Sequence, residues 1–556
     1  MVSVRRAAPV EAARSAKQVV LACVVLALVY LGVILLGDPR AGLIADSGGK
    51  LATARVMAED GTVSPDVGYW AEDLDPAGTY HPLVNSRPAG SGWIQATSVP
   101  FAIATAGLWS MAGPLGVVLL SVAGGVVAAL AARGLARHLG ARGDLAFWLV
   151  GLASPLAVYA TDAWEHAPAA ALALLGILMA LETDRSWRAA AAGALLGAAV
   201  LLRAETGAYV LTFAVSVLAV REVRRRFTSH PRFLAAGAAS AGAVLAANVV
   251  LERALVGAGV RDSRATAGAL DAGSDLGRRA TDAVVTGFGL FPDETGAGIA
   301  IGLLLAGMLT LLTLGLTGRL RLSAPTTRIL TGFVIGLYVL RLLDGWANVP
   351  GALAAVPVVI LAATVPRTPP VRVLLGTALG AVPLVWAVQW KGDHIVQWGG
   401  RYLLLTSLLL LILAAIALEG PVRRTVPARA LLGVTLVVGL AGLGWHAHRT
   451  DIVGGTGAAL DELPADTVVV SAAPQLGREL GSWYRDRRWL SADAGSLHDA
   501  LGVARAADPP SITVIQPPAE DGSEVETPSV DGYHLTTTTS VPSLGDDLDV
   551  RILVRD

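Results

Sequence analysis

Apolar runs separated by short arginine-bearing segments recur from residue 19 to residue 445. Many reach the roughly 17–25 residues that a helix needs to cross the hydrocarbon core of a bilayer, which predicts transmembrane helices. The pattern places thirteen spans, at 19–36, 113–132, 144–161, 166–182, 188–203, 207–220, 233–250, 297–317, 328–343, 350–366, 372–390, 402–418 and 429–445. Threading the chain through them puts Arg133, Arg137 and Arg142, the run Arg221 to Arg232, Arg319 with Arg321 and Arg328, and Arg423 with Arg424 and Arg429 on the side of the N-terminus. Every short loop then obeys the positive-inside rule, with the N-terminus in the cytoplasm. Residues 94–110 are apolar enough to be another span, but counting them would move those arginines outside, so an interfacial or re-entrant segment is expected. The first run, 19–37, follows Arg5, Arg6, Arg14 and Lys17 and is longer than the h-region of a signal peptide, so it reads as an uncleaved first helix.

Three hydrophilic regions face outward on this threading: 38–98, 251–296, and everything after 446. The last shows strand-like pieces at Thr467 to Ser471, Ile512 to Ile515, Tyr533 to Thr537 and Asp549 to Val554, and a helical stretch from Leu476 to Tyr484. The stretch from Pro517 to Pro528 reads as a surface loop. The expected fold is therefore an all-α polytopic membrane bundle with a small extracytoplasmic α/β C-terminal domain. Its parts are a cytoplasmic N-terminus at 1–18, a transmembrane domain at 19–445 and the α/β domain at 446–556.

Composition agrees with a life in lipid: 54% of the 556 residues are hydrophobic, 16% are charged, and the mean hydropathy is +0.59. The net charge of -1 gives no sign of a nucleic-acid partner. Cys23, the only cysteine, lies within the first apolar run, which excludes an intrachain disulfide and a cysteine metal site. Heavy use of Ala, Gly, Val and Arg is compatible with a GC-rich, actinobacterial genome.

No charge falls in the middle of a proposed span, whereas a coupled transporter usually keeps ionisable groups at the midplane. Polar residues gather instead at the outer helix ends: Trp164, Glu165 and His166; Arg203 and Glu205; Arg341 and Asp344; and Lys391, Asp393, His394 and Arg401. Singly, each suits an interface anchor or a snorkelling side chain; together, at one depth, they suit a site. Asp46, in Asp46-Ser47-Gly48-Gly49-Lys50, sits about ten residues beyond the first span, where a carboxylate just above the outer leaflet could act as a base. Asp60, Asp66, Glu72, Asp73 and Asp75 read as solvated loop charges. Trp483, Tyr484 and Trp489, near Arg485, Arg487 and Arg488, read as packing of the small domain, with sugar stacking the alternative.

Four segments carry a resemblance: Ile44-Ala45-Asp46-Ser47-Gly48-Gly49; Ser154-Pro155-Leu156-Ala157-Val158-Tyr159-Ala160 leading to Trp164-Glu165-His166; Leu202-Arg203-Ala204-Glu205; and Trp398-Gly399-Gly400-Arg401-Tyr402-Leu403-Leu404. With the arginine-flanked first helix and the outward C-terminal domain, the chain resembles the GT-C superfamily of integral membrane glycosyltransferases, including protein O-mannosyltransferases, aminoarabinose transferases and arabinosyltransferases. Members with a paired acidic motif show two adjacent acids, whereas Ser47 follows Asp46 here, which leaves a metal open.

The resemblance implies transfer of a sugar from a polyprenyl-phosphate donor to a glycan, lipid or protein acceptor of the cell envelope. Transfer would occur with inversion at the outer face of the plasma (inner) membrane. In that chemistry Asp46 would take the acceptor proton, as does the base of an inverting glycosidase. Arg401, with Arg203, Arg341, His394 and Lys391 behind it, would stabilise the leaving phosphate. Glu165, His166, Glu205 and Asp344 would position the acceptor or orient those cations. A divalent cation, if used, would fall to Asp46 and Glu165. The alternatives are a polymerase or ligase acting on lipid-linked glycans and a non-catalytic lipid or glycan transporter.

Overall fold

A computed structural model describes residues 9–83, 86–89, 92–95, 97–183, 185–257, 276–291, 296–345, 348–388, 398–464, 466–473, 475–518, 528–543 and 547–556. Among these, eight helices are long and apolar enough to cross a membrane, or nine if the bent pair Thr206–Ala219 and Arg221–Thr228 is one span. The chain is a multi-pass membrane protein by these helices. Every predicted span falls on helical structure, but two are not single helices. The 144–161 segment divides into Asp144–Leu152 and Pro155–Ala160, because Ser154 ends one helix and caps the next with its hydroxyl. The 350–366 segment is Ala352–Ala355 followed by a 3₁₀ turn over Pro357–Thr364, since Pro357 lacks the N–H that would continue the first helix.

Residues 94–110, expected as an interfacial or re-entrant segment, combine a strand end with the start of a helix. Ile94 and Gln95 belong to a strand, and Val99 opens a helix that runs to His138 with a break at Ala112 and Gly113. Pro114 disfavours helical backbone just before it, and Gly113 takes a φ of +59°. The portion before the break packs Ala102 and Ala106 on Met57.

The helix Arg401–Leu418 is the hub, buried along nearly its whole length, whereas the first helix turns Val20, Leu21, Leu28, Leu35 and Leu36 outward, as a lipid-facing helix would. Arginine loops knit one end of the bundle together. Arg226 donates to the carbonyls of Leu181 and Thr183, Arg372 pairs with Glu222 at 2.9 Å, and Glu419 accepts from the Arg142 amide at 2.8 Å. The segments around Arg142 and Glu419, and those around Thr183, Arg226 and Arg372, are thus tied to one another.

At the other end lies a mixed sheet in the order β4-β3-β5-β7-β6: β3 (Thr467–Ser471), β4 (Arg488–Ser491), β5 (Ser511–Gln516), β6 (Tyr533–Val541) and β7 (Leu548–Arg555). The first three run parallel, β7 and β6 antiparallel, and the helix Leu497–Ala506 packs on them. All four predicted strands are present. Their partner β4 and the helix Leu497–Ala506 were not foreseen, the former because its four residues include two flanking polar ones.

The long outer segment after the first helix is not a separate loop. Its helix Ala45–Glu59 and its hairpin, β1 (Ser86–Ala89) with β2 (Gly92–Gln95), lie against the C-terminal sheet. Val67, Tyr69, Leu83 and Trp93 share one apolar core with Val468, Leu490, Ile512 and Leu553. The chain passes from bundle to outer body inside a single helix, Val426–Asp461.

Candidate active site where the bundle meets the outer body

Asp46 stands in the first turn of the helix Ala45–Glu59, and Lys50 follows four residues later on the same face. Two arginines distant in sequence close on the carboxylate. Arg401 Nη1 lies 2.9 Å from Oδ2, and Arg478 Nη2 lies 2.5 Å from Oδ1. Arg401 comes from the start of the hub helix, while Arg478 comes from the C-terminal body. Burial alone would raise the pKa of Asp46, but Arg401, Lys50 and Arg478 together outweigh it and hold the carboxyl well below its ordinary range.

Glycine makes the arginine contact with the outer body possible. A Cβ on Gly48 would lie 1.7 Å from the Arg478 carbonyl oxygen, and one on Gly481 would lie 1.7 Å from the Gly48 carbonyl oxygen. Only backbone therefore fits between the Asp46 helix and the turn carrying Arg478. Arg449 strengthens the junction by donating to the Leu43 carbonyl and pairing with Glu479 at 2.9 Å.

A second carboxylate organises the neighbouring cations. Glu165 lies 3.2 Å from Lys50 Nζ and 3.5 Å from Arg203, which in turn donates to Glu205 at 2.7 Å. Aromatic faces complete the enclosure: Trp164 beneath Lys50 and Arg401, and Tyr402 beneath Arg203 and Arg401. Tyr402 also accepts from Arg401 at 2.6 Å. Burial pushes the Lys50 ammonium below its ordinary value, against the pull of Glu165 and Asp46. Four cations, Lys50, Arg203, Arg401 and Arg478, thus face three carboxylates, Asp46, Glu165 and Glu205.

Of the residues singled out by sequence, Asp46, Glu165, His166, Arg203, Glu205 and Arg401 are brought together. His166 is buried, stacks on Tyr159 at 4.7 Å, and packs against Trp164. Arg341 and Asp344 pair with each other at 2.6 Å and stand apart from this network. Arg341 lines instead an apolar cavity of about 620 Å³ between the helices Ala324–Leu343 and Val426–Asp461. Trp398 forms part of that cavity's wall and accepts the Tyr159 hydroxyl at 2.5 Å, so cavity and charged enclosure are neighbours. Lys391, Asp393 and His394 lie outside the described residues.

Sequence reading gave no role to Lys50, Arg478 or Asp162. The i,i+4 spacing from Asp46 to Lys50 was a usable sign once a helix is allowed there; nothing in the sequence marks Arg478. Asp162 is buried beneath the Asp46 turn and accepts from the Leu43 amide at 3.2 Å. Burial pushes its carboxyl up to about 6. Its place is structural: it anchors the backbone from which Asp46 projects.

Asp46 and Glu165 do not suit a divalent cation. Each is already bracketed by two cationic side chains, and an ion between them would face Lys50, Arg203, Arg401 and Arg478. Among the described residues no three His, Cys, Asp or Glu side chains gather as a metal site.

No family model and no curated protein matches the chain. Solved structures to which it is similar include ArnT from Cupriavidus metallidurans bound to undecaprenyl phosphate, at 14% identity over 96% of this chain and 97% of that one, with a TM-score of 0.49. Another is the Archaeoglobus fulgidus oligosaccharyltransferase in complex with Zn and sulfate, at 13% identity over 89% and 67% of the two chains, with a TM-score of 0.46. A third is AglB from the same organism with an inhibitory peptide and a dolichol-phosphate, at 12% identity over 90% and 69%, with a TM-score of 0.42. Likenesses at this level leave function to be argued from the side chains themselves.

Proposed function

We propose that this protein is a GT-C-type membrane glycosyltransferase. It moves a sugar from a polyprenyl-phosphate donor to an envelope acceptor on the outer side of the membrane, with inversion. One observation carries the reading: an acid, Asp46, is held against Arg401, with Arg203 and Lys50 nearby, at helix ends that border an apolar cavity.

The chemistry needs these groups in this arrangement. The acceptor oxygen attacks the anomeric carbon and yields its proton to Asp46. As the new C–O bond forms, the bond from the anomeric carbon to the phosphate oxygen breaks, and polyprenyl phosphate leaves with the electron pair. Negative charge grows on that phosphate, and buried guanidinium groups stabilise it more strongly than water would. The apolar cavity under Arg341 and Trp398 offers a place for the start of the isoprenoid chain. The arginine loops at the opposite end support a reading with that end in the cytoplasm and the charged enclosure outside.

Membranes bearing the wild-type protein or Asp46→Asn, incubated with a panel of labelled polyprenyl-phosphate sugars and native envelope acceptors, test the proposal. Transfer by the wild type and none by the variant is expected. Equal turnover by both would remove Asp46 from its role, and turnover of no donor by the wild type would overturn the reading.

A further inference from the structure

The two oxygens of Asp46 are held by arginines of different origin, and this creates a difficulty for a base. A carboxylate gripped on both sides is a poor proton acceptor, since an effective base titrates near the working pH. Something must uncover it before the acceptor is activated.

The space around Arg401 shows what does so. A small notch is lined by Arg203, Glu205, Arg401, Tyr402 and His166, with Leu405 among its apolar walls. Neither ring nitrogen of His166, a fully enclosed side chain, has a hydrogen-bond partner among the described residues. The notch therefore offers an anion two cations, Arg401 and the Glu205-paired Arg203, and an unsatisfied imidazole, beside apolar helix surface suited to a lipid. As it stands it has room for about one water, some 20 Å³, which is too small for a phosphate. Arg401 is the wall that must turn for a phosphate to enter, and it is also the side chain bound to Asp46 Oδ2.

We infer that Arg401 is shared between Asp46 and the donor phosphate, so that arrival of the lipid uncovers Oδ2 as the proton-accepting atom while Arg478 keeps Oδ1 in place. This rests on the reading of Asp46 as the base. Arg478, 432 residues away in sequence, is then a positioning residue supplied by the C-terminal body. Its backbone is fixed against the Asp46 helix by the contact of Gly48 with Arg478 and Gly481, so the grip on Oδ1 outlasts the departure of Arg401. The base is exposed only when a donor is present.

The test uses full-length protein in lipid nanodiscs and undecaprenyl phosphate as the probe. If carboxylate and phosphate compete for Arg401, removing the carboxylate charge frees the arginine, and Asp46→Asn binds the probe about fivefold or more tighter than the wild type. In an Arg401→Gln background the same substitution brings no gain, because the contested group is gone. Unchanged or weaker binding by Asp46→Asn, with the wild type binding normally, overturns the exchange and leaves the proposed function standing. Absence of binding by both proteins overturns the proposed function as well. Arg478→Gln tests the second half and serves alone if Asp46→Asn does not fold. It is expected to lower kcat about tenfold with a donor selected from the panel, leave probe affinity within about threefold, and regain part of kcat as Arg478→Lys. Loss of affinity with kcat retained, or equal loss of both, overturns the positioning role.

Discussion

Arginine crowds both ends of this bundle, yet the two ends use it in opposite ways. At the end away from the sheet, Arg221, Arg224 and Arg225 are exposed, and pairs such as Arg372 with Glu222 are open to solvent. At the end that carries the sheet, Arg401 and Arg478 are each 7% exposed and converge on Asp46, itself 30% exposed, while Lys50 meets the enclosed Glu165. Exposed charge of one sign fixes the direction in which a chain threads a membrane. Buried charge of mixed sign is costly unless it is paired and bonded, so it persists where chemistry requires it. Burial and partnership, more than the number of arginines, distinguish the two ends.

The contrast can be broken by mutation, most severely at Asp46. Asp46→Asn should reduce sugar transfer by about 10³-fold or more while an equivalent change at Asp144, at the opposite end of the bundle, leaves transfer intact, read as initial rates in membranes. Lys50→Met comes next: it strips Glu165 of one of its two cations inside a closed space, and should lower unfolding free energy by about 3 kcal/mol in detergent melts.

Asp162 sharpens the comparison through pH. Its carboxyl is raised from 3.8 to about 6 by burial, so the folded chain retains a proton that the unfolded chain has released. Stability should therefore fall as pH rises from about 3.8 to about 6 and stay level above. Asp162→Asn removes that fall and should gain on the order of 2 kcal/mol over the wild type at pH 7.5, with little gain at pH 4, in thermal unfolding series. The smallest effect belongs to the exposed pair: Glu222→Gln should leave both the thermal unfolding midpoint and the rate of transfer essentially unaltered.

Helix placement was legible because lipid imposes a long apolar run on every span, and the parity of arginine loops constrains the path between them. The strands of the outer body were legible where they are fully buried and β-branched, as in Thr467–Ser471 and Ser511–Gln516. Breaks inside spans were less so. Ser154, Pro155 and Pro357 carry the signal for two of them, yet hydropathy averages over it. Of the site, the helix-end polar residues stood out against their apolar surroundings, and six of them meet. Arg341 and Asp344 did not join the network, because a shared depth in the membrane says nothing of the angle around the bundle at which a helix end faces. Arg478 was beyond reach: it lies among several arginines of a soluble segment, and only tertiary contact with Gly48 selects it.

The distance in sequence between the partners of Asp46 has a consequence for how the protein comes into being. The acid emerges early in translation, whereas Arg401 and Arg478 are made 355 and 432 residues later. A nascent chain already threaded through most of its helices still lacks both guanidinium groups, along with the turn that seats the acid's helix. Ribosome and insertion machinery thus deliver an inert intermediate, and competence begins only when the last quarter of the polypeptide has folded back onto the first fifty residues.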